Sequence, residues 1–166
     1  MKPEHLSALK KILTALEGQP INWAITGSLG FALQGVKVEV HDIDIQTDRE
    51  SAYTIQRLFS DYMTKEVRFS STDRIRSHFG AFEIDGIEVE IMGDIQKKLT
   101  DATWEDPINP RDHLVWIEFE GMRIPVLSLP YEYQAYIKLG RFEKAEMLRQ
   151  YLETGNHQRE KPFDRA

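Results

Sequence analysis

The sequence predicts an α/β (α+β) fold, in which helices flank a mixed β-sheet and a two-helix element follows at the C-terminal end. Apolar runs of strand length alternate with segments of helical period, and an Asp-Gly pair between two alternating runs indicates a β-hairpin. At 166 residues the chain has about the length of one domain. We therefore expect a single domain over residues 1–155, with its C-terminal strands and helices in 111–154, and a flexible tail over 156–166.

The N-terminal part predicts two helices around one short strand. A first helix is indicated by an apolar face of Leu6, Leu9, Leu13 and Leu16. Residues 21–26 are apolar enough for a buried strand, and Ser28 can cap a short helix over 29–34. Residues 38–47 are expected to be extended, with a bend near His41.

The middle of the chain predicts a helix followed by a hairpin. The helix begins at Asp48 or Ser51, and its expected buried stripe is Ala52, Ile55, Leu58, Phe59 and Tyr62. A strand over 66–69 and a connector over 70–73 precede the hairpin of 74–84 and 87–92, which turns at Asp85-Gly86. Residues 94–99 are interpreted as a helical turn.

The C-terminal part predicts a loop, two strands and two helices. Residues 100–110 form the loop, and strands 113–119 and 122–127 meet at Glu120-Gly121. A helix begins at Pro130, in the first turn where proline is tolerated, and its apolar side carries Tyr133, Tyr136 and Ile137. Gly140 separates it from a last helix on which Ala145, Leu148 and Leu152 align.

Composition excludes several classes of protein. The net charge of -6 argues against broad, sequence-independent coating of nucleic acid. The chain has no cysteine, so disulfides and thiolate metal sites are impossible. The N-terminus does not resemble a signal peptide, and no apolar run approaches the roughly 20 residues that span a bilayer. We therefore expect a cytoplasmic protein without a membrane partner.

Asp42 and Asp44 form the first candidate site. They alternate with Ile43 and Ile45, and residues i and i+2 of a strand point to the same face. The isoleucines would then face the core while both carboxylates face solvent. Two like charges on one face favour a bound cation, and hard divalent ions such as Mg²⁺ take oxygen ligands of this kind.

The second hairpin strand repeats this pattern. Glu88 and Glu90 alternate with three apolar residues, so this strand also has a core face and an acidic face. If it lies beside the aspartate strand, Glu90 or Glu88 can supply a third carboxylate. Three such carboxylates could hold two metal ions about 4 Å apart, the arrangement used for in-line displacement at phosphorus.

Gly27-Ser28 is a candidate phosphate-binding turn. A glycine between a strand and a helix lets the backbone approach a ligand closely, and the N–H groups at the helix start can bind phosphate. On their own, a Gly-Ser pair is usually a helix cap and an Asp-x-Asp strand is often only a solvated face. The succession of a strand, Gly27-Ser28, a short helix and two acidic strands favours a site for a nucleoside triphosphate.

These residues together resemble the signature of the nucleotidyltransferase superfamily that includes DNA polymerase beta. In that family a Gly-Ser or Gly-Gly precedes two acids that alternate with apolar residues, and a later strand supplies a third acid. Here Ser28 is followed after thirteen residues (29–41) by Asp42-Ile43-Asp44. The resemblance covers the core, residues 20–92, and implies a nucleotidyltransferase fold in which Asp42, Asp44 and Glu90 are the catalytic metal ligands.

A weaker resemblance extends through the C-terminal helices. Residues 127–144 are similar to the helical region of small bacterial nucleotidyltransferases, which include antibiotic-modifying enzymes and relatives of abortive-infection toxins. The resemblance implies that Lys138 and Arg141, together with Lys144, contact the phosphates of the nucleotide. A solvated helix face is the alternative for these three basic residues. Ala145 and Leu148 stand where such relatives often carry acids.

Three residues of the first hairpin strand, Arg74, Arg76 and His78, also share one predicted face. Cross-strand pairing with Glu88 and Glu90 is the favoured interpretation, and contact with the triphosphate is the alternative.

The sequence thus predicts a nucleotidyltransferase that moves a nucleoside monophosphate from a Mg²⁺–nucleoside triphosphate to a hydroxyl acceptor and releases pyrophosphate. The acidic net charge favours a small-molecule or protein acceptor, with an RNA end as a further possibility. Two alternatives remain: a catalytically silent module of the same fold that binds a nucleotide or a protein, and one partner of a toxin–antitoxin pair. The sequence does not identify the acceptor, the preferred base or the oligomeric state.

Overall fold

The structure is a computed structural model that describes the backbone of residues 1–159 and the side chains of residues 1–154. Its helices are α1 (Pro3–Leu16), α2 (Gly27–Leu33), α3 (Arg49–Leu58), α4 (Leu129–Lys138) and α5 (Phe142–Arg159). Its strands are β1 (Trp23–Thr26), β2 (Ile43–Thr47), β3 (Met63–Ser71), β4 (Ile75–Ile84), β5 (Ile87–Lys97), β6 (Leu114–Phe119) and β7 (Met122–Leu127). Short 3-10 turns lie at Ser60–Tyr62 and Pro110–Asp112.

All seven strands form one mixed sheet in the order β3-β4-β5-β2-β1-β7-β6. The pairs β2–β5 and β1–β7 are parallel, and the remaining neighbours are antiparallel. The strand that carries Asp44 therefore lies at the centre, between β1 and β5. This order confirms the predicted mixed sheet and brings the two acidic strands together.

The main core covers the face of the sheet that the isoleucines of β2 occupy. Ile43 and Ile45 are fully buried and belong to the same cluster as Leu9 and Ile12 of α1 and Ile55 of α3. Complete burial of such a side chain stabilises the fold by about 1.5–3 kcal/mol. Because side chains alternate along a strand, this burial turns Asp44 to the opposite face.

A second, smaller core joins the C-terminal helices to α2. It contains Phe31, Val36, Leu129, Tyr136, Ala145 and Leu148. Ala145 and Leu148 are almost completely buried in it, which gives a packing reason for their apolar character. The two predicted C-terminal helices are thus confirmed, and they pack on the side of the sheet that carries Asp44.

Several predicted elements are confirmed and others are corrected. The hairpin turns at Asp85-Gly86, where both residues have positive φ angles of 54° and 76°. The interpretation of 94–99 as a helical turn is wrong, because β5 continues to Lys97. Asp94 has a φ of 51°, and the pairing of β4 with β5 shifts register opposite this region. The local irregularity breaks the alternation that would have indicated a strand.

Other boundaries also differ from the predictions. Only Ile43–Thr47 of the expected extended segment is a strand, and β3 is longer than the predicted 66–69. Leu58 and Tyr62 are exposed by 39% and 54%, because α3 ends at Leu58 and Tyr62 lies in the following 3-10 turn. Ile137 of α4 is likewise 38% exposed.

At the C-terminal end, α5 continues to Arg159, so the first four residues of the expected tail have helical backbone. The rest of that prediction, residues 160–166, lies outside the described residues. Among the helices that the structure describes, none combines the length and the apolar character needed to cross a membrane.

Candidate active site

Asp44 and Glu90 are direct neighbours at the centre of the sheet. They are register partners on the parallel strands β2 and β5, and both are half-buried. Their carboxyl groups are within hydrogen-bonding reach of each other. Burial, followed by the charge and hydrogen bond of Glu90, raises the pKa of Asp44 to about 7. Two acids in contact in a partly buried place must share a proton or bind a cation.

Asp42 lies outside the strand that was predicted to hold it. β2 begins at Ile43, so Asp42 occupies the preceding bend and is exposed. It still borders the same cavity as Asp44 and Glu90, and its charge contributes to the raised pKa of Asp44. The bend is held from α1 by His5, whose Nε2 is 2.7 Å from the carbonyl oxygen of His41.

The acids supply the hard oxygen donors that Mg²⁺ prefers. Within the described part of the chain, however, no three Asp, Glu or His side chains are close enough together to form a ready metal site. The contact between Asp44 and Glu90 is therefore the part of the predicted ligand set that is already assembled. By donor chemistry and by the unrelieved repulsion between its carboxylates, the set fits a divalent cation.

Gly27 is placed directly against these acids. Its φ of +69° is a left-handed conformation that glycine adopts without strain, and a Cβ atom here would overlap the Asp44 carboxylate. Thr26, the preceding residue, is the register partner of Asp44 across β1 and β2. The glycine-serine turn and the acids therefore meet at one point, and Ser28 lies half-buried beside them.

The turn and the acids border a cleft of about 650 Å³ between the sheet and the C-terminal helices. The sheet side contributes Asp42, Asp44 and Glu90, and the helical side contributes Tyr136, Arg141 and Lys144. A cleft of this volume is within the range that holds small-molecule ligands.

The three basic residues of the C-terminal region do not lie on one face of a single helix. Lys138 ends α4, whereas Arg141 and Lys144 follow the Gly140 break, and only the latter two line the cleft. Lys138 is outside the lining residues, with its Nζ 3.4 Å from Glu105 Oε2. Its expected contact with nucleotide stays a prediction.

Lys97 is a cleft residue that the sequence did not reveal. It is only 2% exposed, and its Nζ lies 3.0 Å from Glu105 Oε1. The residue is hidden in the irregular end of β5, which was interpreted as a helical turn, so its pattern gave no signal of a buried cation facing the cleft.

Glu132 is the second residue that sequence reasoning missed. It is 5% exposed in the first turn of α4 and accepts a hydrogen bond from the Thr26 hydroxyl. Burial raises the pKa of Glu132 to about 7, although the Thr26 hydroxyl and Lys97 act in the opposite direction. A glutamate in a first helical turn is common, so its position in the sequence carried no signal.

Within the described residues, the three basic residues predicted to share one face of the first hairpin strand make no ion pair with Glu88 or Glu90. Arg74 lies before the strand, and its Nη1 donates to the carbonyl oxygen of Leu139 at 2.9 Å. Arg76 donates to Gln96 and stacks over the Trp104 ring, with 4.4 Å to its centroid. His78 is hydrogen-bonded with Tyr53. Cross-strand pairing with Glu88 and Glu90 was therefore the wrong interpretation, and contact with the triphosphate stays a prediction.

Comparison with known proteins shows which family this architecture represents. The family model described as aminoglycoside-2''-adenylyltransferase matches residues 8–152, most of the chain. The chain belongs to the aminoglycoside-2''-adenylyltransferase family. No curated protein gives a significant match to the sequence.

Solved structures agree with this family. A protein of Thermotoga maritima (TM1012), provisionally assigned as a nucleotidyltransferase, is 61% identical, with a TM-score of 0.82 over 93% of this chain and 96% of that one. The lincomycin-bound lincosamide adenylyltransferase LnuA is 16% identical, with a TM-score of 0.55 over 86% and 95% of the two chains. ANT(2'')-Ia in complex with adenylyl-2''-tobramycin is 13% identical, with a TM-score of 0.57 over 89% of each chain. The last two likenesses support the fold, and the predicted nucleotidyltransferase fold is confirmed.

Proposed function

We propose that this member of the aminoglycoside-2''-adenylyltransferase family transfers a nucleoside monophosphate from a Mg²⁺–nucleoside triphosphate to a hydroxyl group of a small molecule. The observation that carries the proposal is the contact of the Gly27-Ser28 turn with the Asp44–Glu90 pair inside one cleft. The family name favours ATP as the nucleotide. The proposed location is the cytoplasm, as the sequence predicts.

The reaction is a displacement at the α-phosphorus. The acceptor oxygen forms a bond to this phosphorus, the bond to the oxygen that bridges the α- and β-phosphates breaks, and pyrophosphate leaves. The proton of the acceptor hydroxyl passes to a carboxylate, for which Glu90 is the candidate. Since little covalent chemistry is required of the protein, positioning and charge compensation account for most of the rate.

Different residues of the cleft would bind the phosphates, compensate their charge and hold the metal ions. Gly27 and Ser28 bind the phosphates, and Arg141 compensates their charge from the helical side. Asp42 and Asp44 would hold Mg²⁺, with Glu90 either as a third ligand or as the base that takes the proton. Two such ions would neutralise charge on the triphosphate and polarise the attacking oxygen. Lys138 can join them only if it leaves its ion pair with Glu105.

The acceptor is proposed from two relatives of the same fold. The LnuA structure contains lincomycin, and the ANT(2'')-Ia structure contains an adenylylated tobramycin. Both are small hydroxylated molecules, in agreement with the small-molecule preference expected from the acidic net charge. The acceptor experiment must also distinguish a small molecule from the two other candidate acceptors, a protein and an RNA end.

The test is a transfer assay with purified protein, Mg²⁺ and ATP labelled at the α-phosphate. Acceptors would include an aminoglycoside, a lincosamide, a protein mixture and an RNA. We expect label on a small molecule and release of pyrophosphate, with Asp44→Asn and Glu90→Gln inactive. Glu83→Gln is the matched control, because Glu83 is an exposed acid of the neighbouring strand β4 outside the cleft.

Wild-type transfer by the Asp44→Asn variant would refute this mechanism. Tight Mg²⁺-dependent nucleotide binding without transfer to any acceptor would instead favour the catalytically silent module. Binding measured by calorimetry with each nucleoside triphosphate would separate these outcomes and identify the preferred base.

A further inference from the structure

The hydroxyl of Thr26 does not cap the helix that follows it. Thr26 is the N-cap residue of α2, a position from which a threonine side chain commonly accepts a hydrogen bond from the helix backbone. Among the described residues Thr26 makes no such side-chain cap, and its hydroxyl donates to Oε1 of Glu132 instead. The backbone N–H of Gly27 lies near enough to the Glu132 carboxylate to act against the rise of its pKa. One carboxylate thus binds the residue that precedes the turn and lies beside the first residue of the turn.

The position of Glu132 is determined by the start of α4. The Ser128 side chain accepts a hydrogen bond from the backbone N–H of Tyr131, and Pro130 lies in the first turn. Glu132 is therefore held in that turn, where the helix dipole favours a negative charge. Lys97 and Lys144 also favour its charged form.

A buried carboxylate is costly, and the proposed transfer does not use this one. Desolvation disfavours a carboxylate unless hydrogen bonds and opposite charges compensate it. The compensation for Glu132 comes from Thr26, Lys97, Gly27 and Lys144. Of these, Gly27 belongs to the turn and Thr26 directly precedes it. This arrangement joins the C-terminal helices to the phosphate-binding turn through a single side chain.

The turn has little freedom to move without disturbing the acids. Thr26 is in register with Asp44, and the Cα of Gly27 lies so near Asp44 that a Cβ would overlap its carboxylate. A small displacement of Gly27 therefore changes the distance between the backbone N–H groups proposed to bind phosphate and the carboxylate of Asp44.

We propose that Glu132 is a positioning residue that holds the Gly27-Ser28 turn in its nucleotide-binding conformation. It determines the affinity for the nucleoside triphosphate through Thr26 and Gly27, without contacting the nucleotide. This inference rests on the proposed function, because it assigns the nucleotide phosphates to that turn.

The experiment compares Glu132→Ala and Glu132→Gln with a matched control, Tyr151→Phe. The Tyr151 hydroxyl donates to the carbonyl oxygen of Gln34 at 2.8 Å, so it also ties the C-terminal helices to α2, but outside the cleft. Four quantities are measured: the Kd of a non-hydrolysable ATP analogue with Mg²⁺, the steady-state constants, the melting temperature, and amide exchange at Gly27 and Ser28.

We expect Glu132→Ala to raise the Kd and the KM of the nucleotide by at least about tenfold, the loss typical of a hydrogen bond to a charged group. The KM of the acceptor should stay within about twofold, and amide exchange at Gly27 and Ser28 should accelerate. Glu132→Gln should be intermediate, because its amide oxygen can still accept from Thr26. Tyr151→Phe should lower the melting temperature without changing the Kd.

Two results would overturn the inference. One is an unchanged nucleotide Kd and unchanged turn exchange in Glu132→Ala; the other is a fall in kcat alone, which would make Glu132 a catalytic group. If Glu132→Ala does not fold, Thr26→Val and Thr26→Ser replace it, with Kd raised only in the valine variant. A wild-type protein that binds no nucleotide would refute the proposed function, whereas amide exchange would still show whether Glu132 holds the turn.

Discussion

The contact between Asp44 and Glu90 is an unfavourable feature in a protein without a cation. The two carboxyl groups are partly buried, in hydrogen-bonding reach, and on adjacent strands that cannot separate without breaking the sheet. Their repulsion lowers the stability of the fold at pH values where both are ionised. A binding site commonly contains such a stability cost, since the ligand relieves it.

Asp44→Asn should therefore separate stability from activity. Because it removes one of two contacting charges, we expect the melting temperature in EDTA at pH 8 to rise by at least about 2 °C. Transfer should fall by at least about 100-fold, because a metal ligand is lost. Thermal unfolding and the labelled-ATP assay measure the two effects, with Glu83→Gln as control. A lower melting temperature would contradict the proposed repulsion.

The raised pKa of Glu132 should make the stability of the fold depend on pH. Burial raises its pKa from 4.5 to about 7, so between these pH values the folded state retains a proton that the unfolded state loses. The free energy of unfolding therefore falls as the pH rises through this range, by roughly 3 kcal/mol in all. Urea unfolding from pH 4.5 to 8 should show a steeper decline in the wild type than in Glu132→Gln, in which the raised pKa of Asp44 still causes part of the decline. Parallel curves for both proteins would contradict it.

At the scale of elements, α3 packs on the sheet through a glycine. A Cβ at Gly93 of β5 would lie 2.8 Å from Ala52 Cβ and 2.9 Å from the carbonyl oxygen of Asp48. Both neighbours belong to the start of α3, so this helix can approach β5 only where the side chain is absent.

Gly93→Ala should push α3 away from the sheet. Overpacking of this kind costs about 1–3 kcal/mol, so we expect a corresponding loss in the free energy of unfolding. Urea denaturation measures it, and Glu83→Ala on the exposed surface of β4 is the control. Wild-type stability of the Gly93→Ala protein would mean that α3 adjusts without cost.

At the scale of the whole molecule, the cleft exists because two cores meet across the sheet. The main core places the isoleucines of β2 on one face, and the second core attaches α4 and α5 to the other. Glu132, Arg141 and Lys144 line the same cleft as the acids, and Glu132 and Lys144 belong to the two helices that the second core attaches.

Leu148→Ala should therefore reduce both stability and nucleotide binding. Leu148 is fully buried in the second core, so its truncation should cost about 2–5 kcal/mol. The helical wall of the cleft should loosen, and the nucleotide Kd should rise several-fold by calorimetry. Leu58→Ala, at a side chain that is 39% exposed, is the control. A stability loss without any change in Kd would show that the wall tolerates repacking.

The sequence by itself determined the local features. The alternation in β2 and β5, the glycine-serine turn and the Asp85-Gly86 hairpin depend on residues close together in the chain, and all could be recognised from pattern and turn chemistry. The nucleotidyltransferase fold was implied by the resemblance of Gly27-Ser28 and the acids to the signature of that superfamily. Lys97 was missed because the irregularity near Asp94 interrupts the alternation of β5.

Only the tertiary structure decided which distant residues meet. The parallel register of β2 and β5 selected Glu90, and not Glu88, as the partner of Asp44. The packing of α4 brought Glu132 to Thr26 across 106 positions of the chain. The physical reason is that local pattern specifies which face a side chain occupies, whereas register and helix packing, set by burial of the two cores, specify what lies opposite that face.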